Sequence, residues 1–209
     1  MSYSFNETEA LCRKAARGAG FSWGMAEEAG RAARWLEQHG LKGAAALADL
    51  LRALDGKDFT DIAPDPTGEI WQSGNGAACP ICSGTILADH AHLLQSSLIR
   101  LNVMHPIFLL PFAAIIARKG NAICLEWDGV QFTAMPEGAC LSGRTNAPRA
   151  NATCRITSDT AGTPIAPRTR ADLRPDIYAA LDHFAQRTYA PATEASRLAG
   201  AGAGLTDND

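Results

Sequence analysis

The sequence predicts an α+β protein, with an N-terminal three-helix subdomain packed on a small mixed helix and antiparallel-sheet core. Three observations lead there. Over the first 57 residues apolar side chains recur at helical spacing between glycine stops. Asp128-Gly129, set between AICLEW and VQFTAM, is a turn pair that tolerates the positive φ of a tight hairpin. The densest apolar stretch, 106–135, ends in that hairpin and is expected to lie in mid-core. A chain of 209 residues is long enough for one well-filled core. The expected organisation is one domain: a helical subdomain over 1–57, a loop over 58–84, an α+β core over 85–189 and a Gly-rich tail over 190–209.

The first helix is expected to start at Asn6, with Glu9 completing a capping box, and to stop at Gly18-Ala19-Gly20. A second start at Ser22 leads through Ala26, Ala29, Gly30, Ala33 and Leu36 to His39-Gly40, and its small residues allow close approach of another helix. Ala44, Leu47, Leu51 and Leu54 give a third helix. A helix-turn-helix DNA reader is the sharper alternative, but the set is Ala-rich and has no basic recognition face. Two prolines and three glycines make 58–78 a loop, anchored by Ile70 and Trp71. Leu87, Ala91, Leu94, Leu98 and Leu101 read as a helix from Thr85 onward. Pro106 and Pro111 argue against a central strand, so the apolar run after them reads as a buried helix ending at Arg118-Lys119-Gly120. The hairpin follows, then loops over 138–148 and 159–167, a strand over 152–157, and a closing helix over 176–189.

Composition narrows the function classes. The formal net charge of -3 argues against a general nucleic-acid surface. The longest apolar run falls short of the roughly 20 residues that span a bilayer. MSYSFNETEALCRK lacks the basic-then-apolar layout of a secretory signal, so the expected location is the cytoplasm. There, most of the six cysteines are expected to be free thiols acting as small buried hydrophobes.

Two segments, SFNETEALCRKAARGAGFSWGMAEEAGRAARWL and RTYAPATEASRLAGAGAGLTDND, together resemble an uncharacterised family of small bacterial proteins, chiefly from marine alphaproteobacteria. The resemblance implies a stand-alone protein of about this length and transfers no activity to any residue. The N-terminal helices also resemble the opening helices of type-2 malate and lactate dehydrogenases. The Ser-His-Gly of that family is replaced here by Leu41-Lys42-Gly43, so no role is carried over.

Three places carry chemistry. Cys79-Pro80-Ile81-Cys82 can bind a metal or form a reversible disulfide. A zinc site needs two more ligands, for which His90 and His92 are nearest. On the expected helix they point about 200° apart, so that at most one could bind. Redox chemistry would draw on a helix N-terminus near Thr85, but QSGNGAA before the motif is not a strand. Two partly buried thiols that merely share this spacing are the plain alternative.

The second place is an excess of arginine: Arg144, Arg149, Arg155, Arg168, Arg170 and Arg174, accompanied by only Asp159 and Asp172. The guanidinium fork matches carboxylate or phosphate, so Arg144, Arg149, Arg168, Arg170 and Arg174 are candidate ligands for a small anion. Solvated surface is the plain alternative. The third is the C-terminus, where Gly200, Gly202 and Gly204 alternate with alanine before Leu205. It lacks the strand and helix of a dinucleotide fingerprint. Either it is a disordered tail, or it docks through Leu205 and offers Asp207, Asn208 and Asp209 to a hard cation or a neighbouring cleft. No nucleophilic triad assembles from the serines and histidines.

The leading expectation is a small-molecule-binding or accessory protein that takes an anionic metabolite near 144–174, with the tail docked. The competing class is a small enzyme using Cys79 or Cys82, with or without zinc. A third is a subunit of a larger complex or a homo-oligomer.

Overall fold

In the computed structural model residues 2–74, 76–159 and 162–189 are described. The chain opens with a two-residue strand β1 (Ser2–Tyr3) and runs into helices α1 (Phe5–Gly18), α2 (Trp23–Gln38) and α3 (Gly43–Leu54). The cap of α1 lies two residues earlier than Asn6. Ser4 Oγ accepts from the Glu7 N–H at 3.2 Å while the Ser4 N–H donates to Glu7 Oε2 at 2.8 Å. Asn6 and Glu9 instead both accept from Arg34 of α2, at 2.9 and 2.8 Å, tying the first two helices together. Gly30 serves the close approach that the small-residue face predicts, since a Cβ there would press on Arg13 and on the Glu9 carbonyl at 3.0 Å.

The segment 58–78 is less loop than expected. It holds a single-turn helix α4 (Phe59–Ile62) and a short strand β2 (Ile70–Trp71). Trp71 is its anchor and is buried, whereas Ile70 is 41% exposed. Helix α5 (Pro80–Asp89) begins within the Cys-Pro-Ile-Cys motif, not at Thr85. Pro80 accounts for this, because its fixed φ suits a first helical position and its missing N–H costs nothing there. The helix also ends early. A 3-10 turn (Ala91–Gln95) follows, and Leu98 and Leu101, expected on the helix, flank and join strand β3 (Ile99–Met104). Burial alternates along β3, so the three-and-four spacing of leucines was shared by two different elements.

A 3-10 turn (Pro106–Phe108) leads into α6 (Leu109–Ala117), the buried helix that the two prolines implied. Strands β4 (Ile123–Trp127) and β5 (Val130–Met135) form the hairpin, with φ of 43° at Asp128 and 75° at Gly129. The expected loop over 138–148 begins as strand β6 (Gly138–Ser142), which pairs with β5. Strands β7 (Arg149–Ile156), β8 (Thr163–Pro164) and β9 (Ala171–Asp172) precede α7 (Pro175–Gln186).

Seven strands make one sheet in the order β2-β3-β7-β4-β5-β6-β8, antiparallel except for the β2–β3 pair. Its helix-covered face is Leu101, Val103, Leu125, Phe132, Ala152 and Cys154, all buried. The Trp35 ring of α2 stands edge-on to Phe132 at 6.1 Å. Between α5 and α6 the fit is tighter still: a Cβ at Gly84 would collide with the edge of the Phe112 ring. This is an α+β fold with its helical N-terminal part laid against the sheet.

Candidate functional site

Two turns meet at the start of α3. The first, Gly40-Leu41-Lys42, links α2 to α3 and holds Lys42 at φ 52°, ψ 46°, in the left-handed region. The second carries His105 at φ 39°, ψ 65°, between β3 and Pro106. Left-handed backbone costs a residue with a Cβ roughly 1 kcal/mol or more, so each must be held by its surroundings. The His105 N–H donates to the Pro148 carbonyl at 2.9 Å, and the Lys42 carbonyl accepts from Ala46 at 3.1 Å. Among the described residues only Asp128 of the hairpin shares this conformation without being glycine.

Both strained residues line one cavity of about 510 Å³. Gly40, Ala45, Ala46 and Asp49 complete its helical wall, and Leu141, Gly143, Arg144, Thr145 and Asn146 form the wall opposite. The size falls within the range of small-molecule sites. Its charged groups are Lys42, Arg144 and Asp49, with His105 set partly inside. Burial holds the His105 imidazole below its ordinary value, against the pull of the Asp49 carboxylate. Lys42 stands at the N-cap position of α3 without a side-chain capping bond. The capping is done from beneath by Glu37, whose Oε1 accepts from the Ala44 N–H at 2.9 Å. Burial pushes the Glu37 carboxyl up, and Asp172 adds to that; the Ala44 N–H, Arg168 and Lys42 oppose it.

The arginines predicted as a group are dispersed. Arg144 alone lines the cavity. Arg168 lies at its edge, with its backbone N–H donating to the Gln38 carbonyl at 2.6 Å and its guanidinium over Gly40, where a Cβ would collide with it. Arg149 is exposed at the start of β7. Arg155 pairs with Glu126 at 3.3 Å. Arg170 donates to Ser2 Oγ at 2.7 Å beside the β1–β9 pair, and Arg174 forks onto Asp176 two residues away. One sequence cluster thus serves several local tasks.

Cys79 is the N-cap of α5 and Cys82 lies one turn in; both are buried. His90 is the C-cap of the same helix, roughly 12 Å away at 1.5 Å per residue from Cys82. The His90 and His92 rings do not point apart, as an unbroken helix would require, but lie 6.0 Å from each other. His90 also stands edge-on to Trp71 at 6.2 Å. Among the described residues no group of three or more His, Cys, Asp or Glu is arranged to hold a metal ion. The tail with Asp207, Asn208 and Asp209 lies outside the described residues.

Lys42, His105, Asp49, Thr145 and Asn146 went unnominated from sequence. A signal existed: Leu41-Lys42-Gly43 puts a lysine where a tight helix-to-helix turn wants glycine, and His105 stands directly before a proline.

Comparison with known proteins bears on the N-terminal part. Residues 3–79 match a family model described as "Protein of unknown function (DUF3726)". That stretch carries the mark of an uncharacterised protein family. It includes Lys42, Asp49 and Cys79 and leaves out His105 and Arg144. No curated protein matches the chain. Among solved structures, the crystal structure of malate dehydrogenase from Entamoeba histolytica is similar at 9% identity and a TM-score of 0.44, over 89% of this chain and 61% of that one. This chain therefore spans less than two thirds of that enzyme's length, and at such a score the likeness transfers nothing. No helix of the described residues is long and apolar enough to cross a membrane.

Proposed function

We propose that the protein binds a small anionic molecule in the cavity at the start of α3, with Lys42 and Arg144 as its charge partners. The observation that carries this reading is the convergence of two strained turns on one cavity of about 510 Å³ that also holds both cations. Strain held at two non-glycine positions is kept only where the surroundings enforce it, and it concentrates at ligand sites. Arg144 supplies a planar fork for carboxylate or phosphate, Lys42 a mobile point charge. The positive end of the α3 dipole faces the same side. Neutral His105 offers a ring nitrogen as acceptor or donor, and Thr145 and Asn146 supply further polar groups to fix orientation. Arg168, at the Gly40 edge, adds to the field.

Calorimetric titration with inorganic phosphate, sulfate and citrate tests this. Saturable binding of at least one of the three, weakened about tenfold or more in Arg144→Ala and in Lys42→Ala, is expected, since a charge-assisted contact contributes about 1.5–3 kcal/mol. Failure of all three anions to bind, or binding indifferent to both substitutions, overturns the reading.

A further inference from the structure

We propose that Cys79 and Cys82 form a redox-active dithiol, which a small hydroperoxide closes to an intramolecular disulfide. The anion site does not involve this pair, and its chemistry is independent of that reading.

The geometry singles out these two of the six cysteines. Residues three apart on a helix bring their Cβ atoms to about 5–6 Å, and a disulfide needs about 3.5–4.5 Å. Cys79, at the N-cap with extended backbone at φ -64°, ψ 124°, lies outside the regular helical turn, so its side chain is not held to that helical spacing. Cys12 lies alone on α1. Cys124 and Cys140 are both paired to Thr133, one on each side, which sets them two strand spacings or roughly 10 Å apart. Cys154 pairs with Leu125, so it faces the opposite side of the sheet from neighbouring Cys124.

The backbone around the pair is fixed on both sides. The Ala78 N–H donates to the Asn102 carbonyl at 2.9 Å, and the Ala78 carbonyl accepts from Met104 at 3.0 Å. The residue before the motif is therefore bridged to β3, the extended support that QSGNGAA did not suggest. The Cys79 N–H donates to Ile62 at 2.8 Å, and its carbonyl accepts from both the N–H and the Oγ of Ser83. Pro80 then sets the first turn. Cys79 makes no side-chain capping bond, but at the N-cap its sulfur stands at the positive end of the α5 dipole, which favours a thiolate. Burial opposes the charge on Cys79, but the Cys82 thiol and the N–H groups of Cys82 and Ile81 outweigh it and hold Cys79 below its ordinary value. Cys82 is pushed up, chiefly by the neighbouring Cys79 sulfur and then by burial. The N-cap place of Cys79, with Cys82 one turn inside the helix, and these opposite directions together make Cys79 the attacking sulfur and Cys82 the resolving one.

Burial also selects the oxidant. Cys79 is 0% and Cys82 3% exposed, so a protein disulfide cannot dock on either, and the oxidant has to be a small one that enters through local opening of the fold. The Cys79 thiolate attacks one peroxide oxygen, the O–O bond breaks, and hydroxide leaves with the proton that Cys79 gave up, as water. Cys82 then attacks the sulfenic sulfur of Cys79. The S–O bond breaks as the S–S bond forms, and a second water carries off the Cys82 proton. Two thiols are oxidised by two electrons and one peroxide is reduced to two waters.

The test uses native full-length protein, hydrogen peroxide, denaturing alkylation and peptide mass mapping. Expected is a disulfide within the peptide that holds both residues, about 2 Da lighter than its reduced form. It should form at least tenfold faster than any oxidation at Cys12, Cys124, Cys140 or Cys154. In Cys82→Ser a sulfenic acid should accumulate on Cys79, trapped by dimedone; in Cys79→Ser, Cys82 should stay reduced. If Cys79 and Cys82 remain reduced while other thiols oxidise, or over-oxidise without joining, or react no faster than the other four, the inference is overturned. The wild-type result decides this even where a variant fails to fold.

Discussion

The start of α3 and the start of α5 are both helix N-termini, yet they are built in opposite ways. At α3 the N-cap residue is an exposed cation in strained backbone, a carboxylate from another helix supplies the cap, and the space in front is open. At α5 the N-cap residue is a thiol in relaxed extended backbone, sealed under Ile62, β3 and α6. Strain and charge at an open terminus suit recognition of something that arrives from solvent. Relaxed geometry and burial at a closed one suit chemistry between groups already present. The same backbone dipole serves both ends.

The largest change is expected where the closed end depends on packing. Gly84→Val drives two methyl groups into the buried Phe112 ring and should cost about 3 kcal/mol in urea unfolding. At the open end the corresponding weak point is the borrowed cap: Glu37→Ala leaves the Ala44 N–H without its acceptor and should cost about 1–2 kcal/mol. Lys42→Gly relieves left-handed strain and is expected to stabilise the fold by up to about 1 kcal/mol, while anion affinity falls. A loss of stability there would mean that Lys42 is structural.

Acid and base should act on the open end with opposite signs. Glu37 is raised in the folded chain, so stability is greatest below its unfolded value of 4.5 and declines as pH rises from there through its folded value. Glu37→Gln should flatten that decline. His105 is lowered, so the unfolded chain binds the proton more readily, and stability declines as pH falls below 6.5 towards the folded value. His105→Gln should remove that part of the pH–stability profile.

The elements with one clear period were legible in the sequence: α2, α3, α6 and the β4–β5 hairpin stand where spacing and turn residues put them. The stretch 85–104 was misread because leucines at three and four residues continue from a helix into a strand, and periodicity alone cannot mark the break. The cap of α1 moved because Ser4-x-x-Glu7 and Asn6-x-x-Glu9 compete in overlapping registers, and Asn6 found Arg34 instead. The arginines looked like a site because they are close in sequence. Arg149 and Arg155 lie on β7, Arg170 and Arg174 flank β9, and of the six only Arg144 reaches the cavity wall. Its partners come from residues 100 or so positions earlier in the chain, a juxtaposition that only topology creates.

The most direct test compares Arg144→Ala with Arg149→Ala, two arginines five residues apart in the same charge-rich stretch. Of these, Arg144 lines the cavity and Arg149 is an exposed residue at the start of β7. Both should unfold within about 0.5 kcal/mol of wild type, as surface substitutions do. Titrated with the tightest-binding of phosphate, sulfate and citrate, Arg144→Ala is expected to lose about tenfold or more in affinity and Arg149→Ala less than twofold, at fixed salt. Equal losses in the two would show a diffuse charge effect and contradict the cavity as the site.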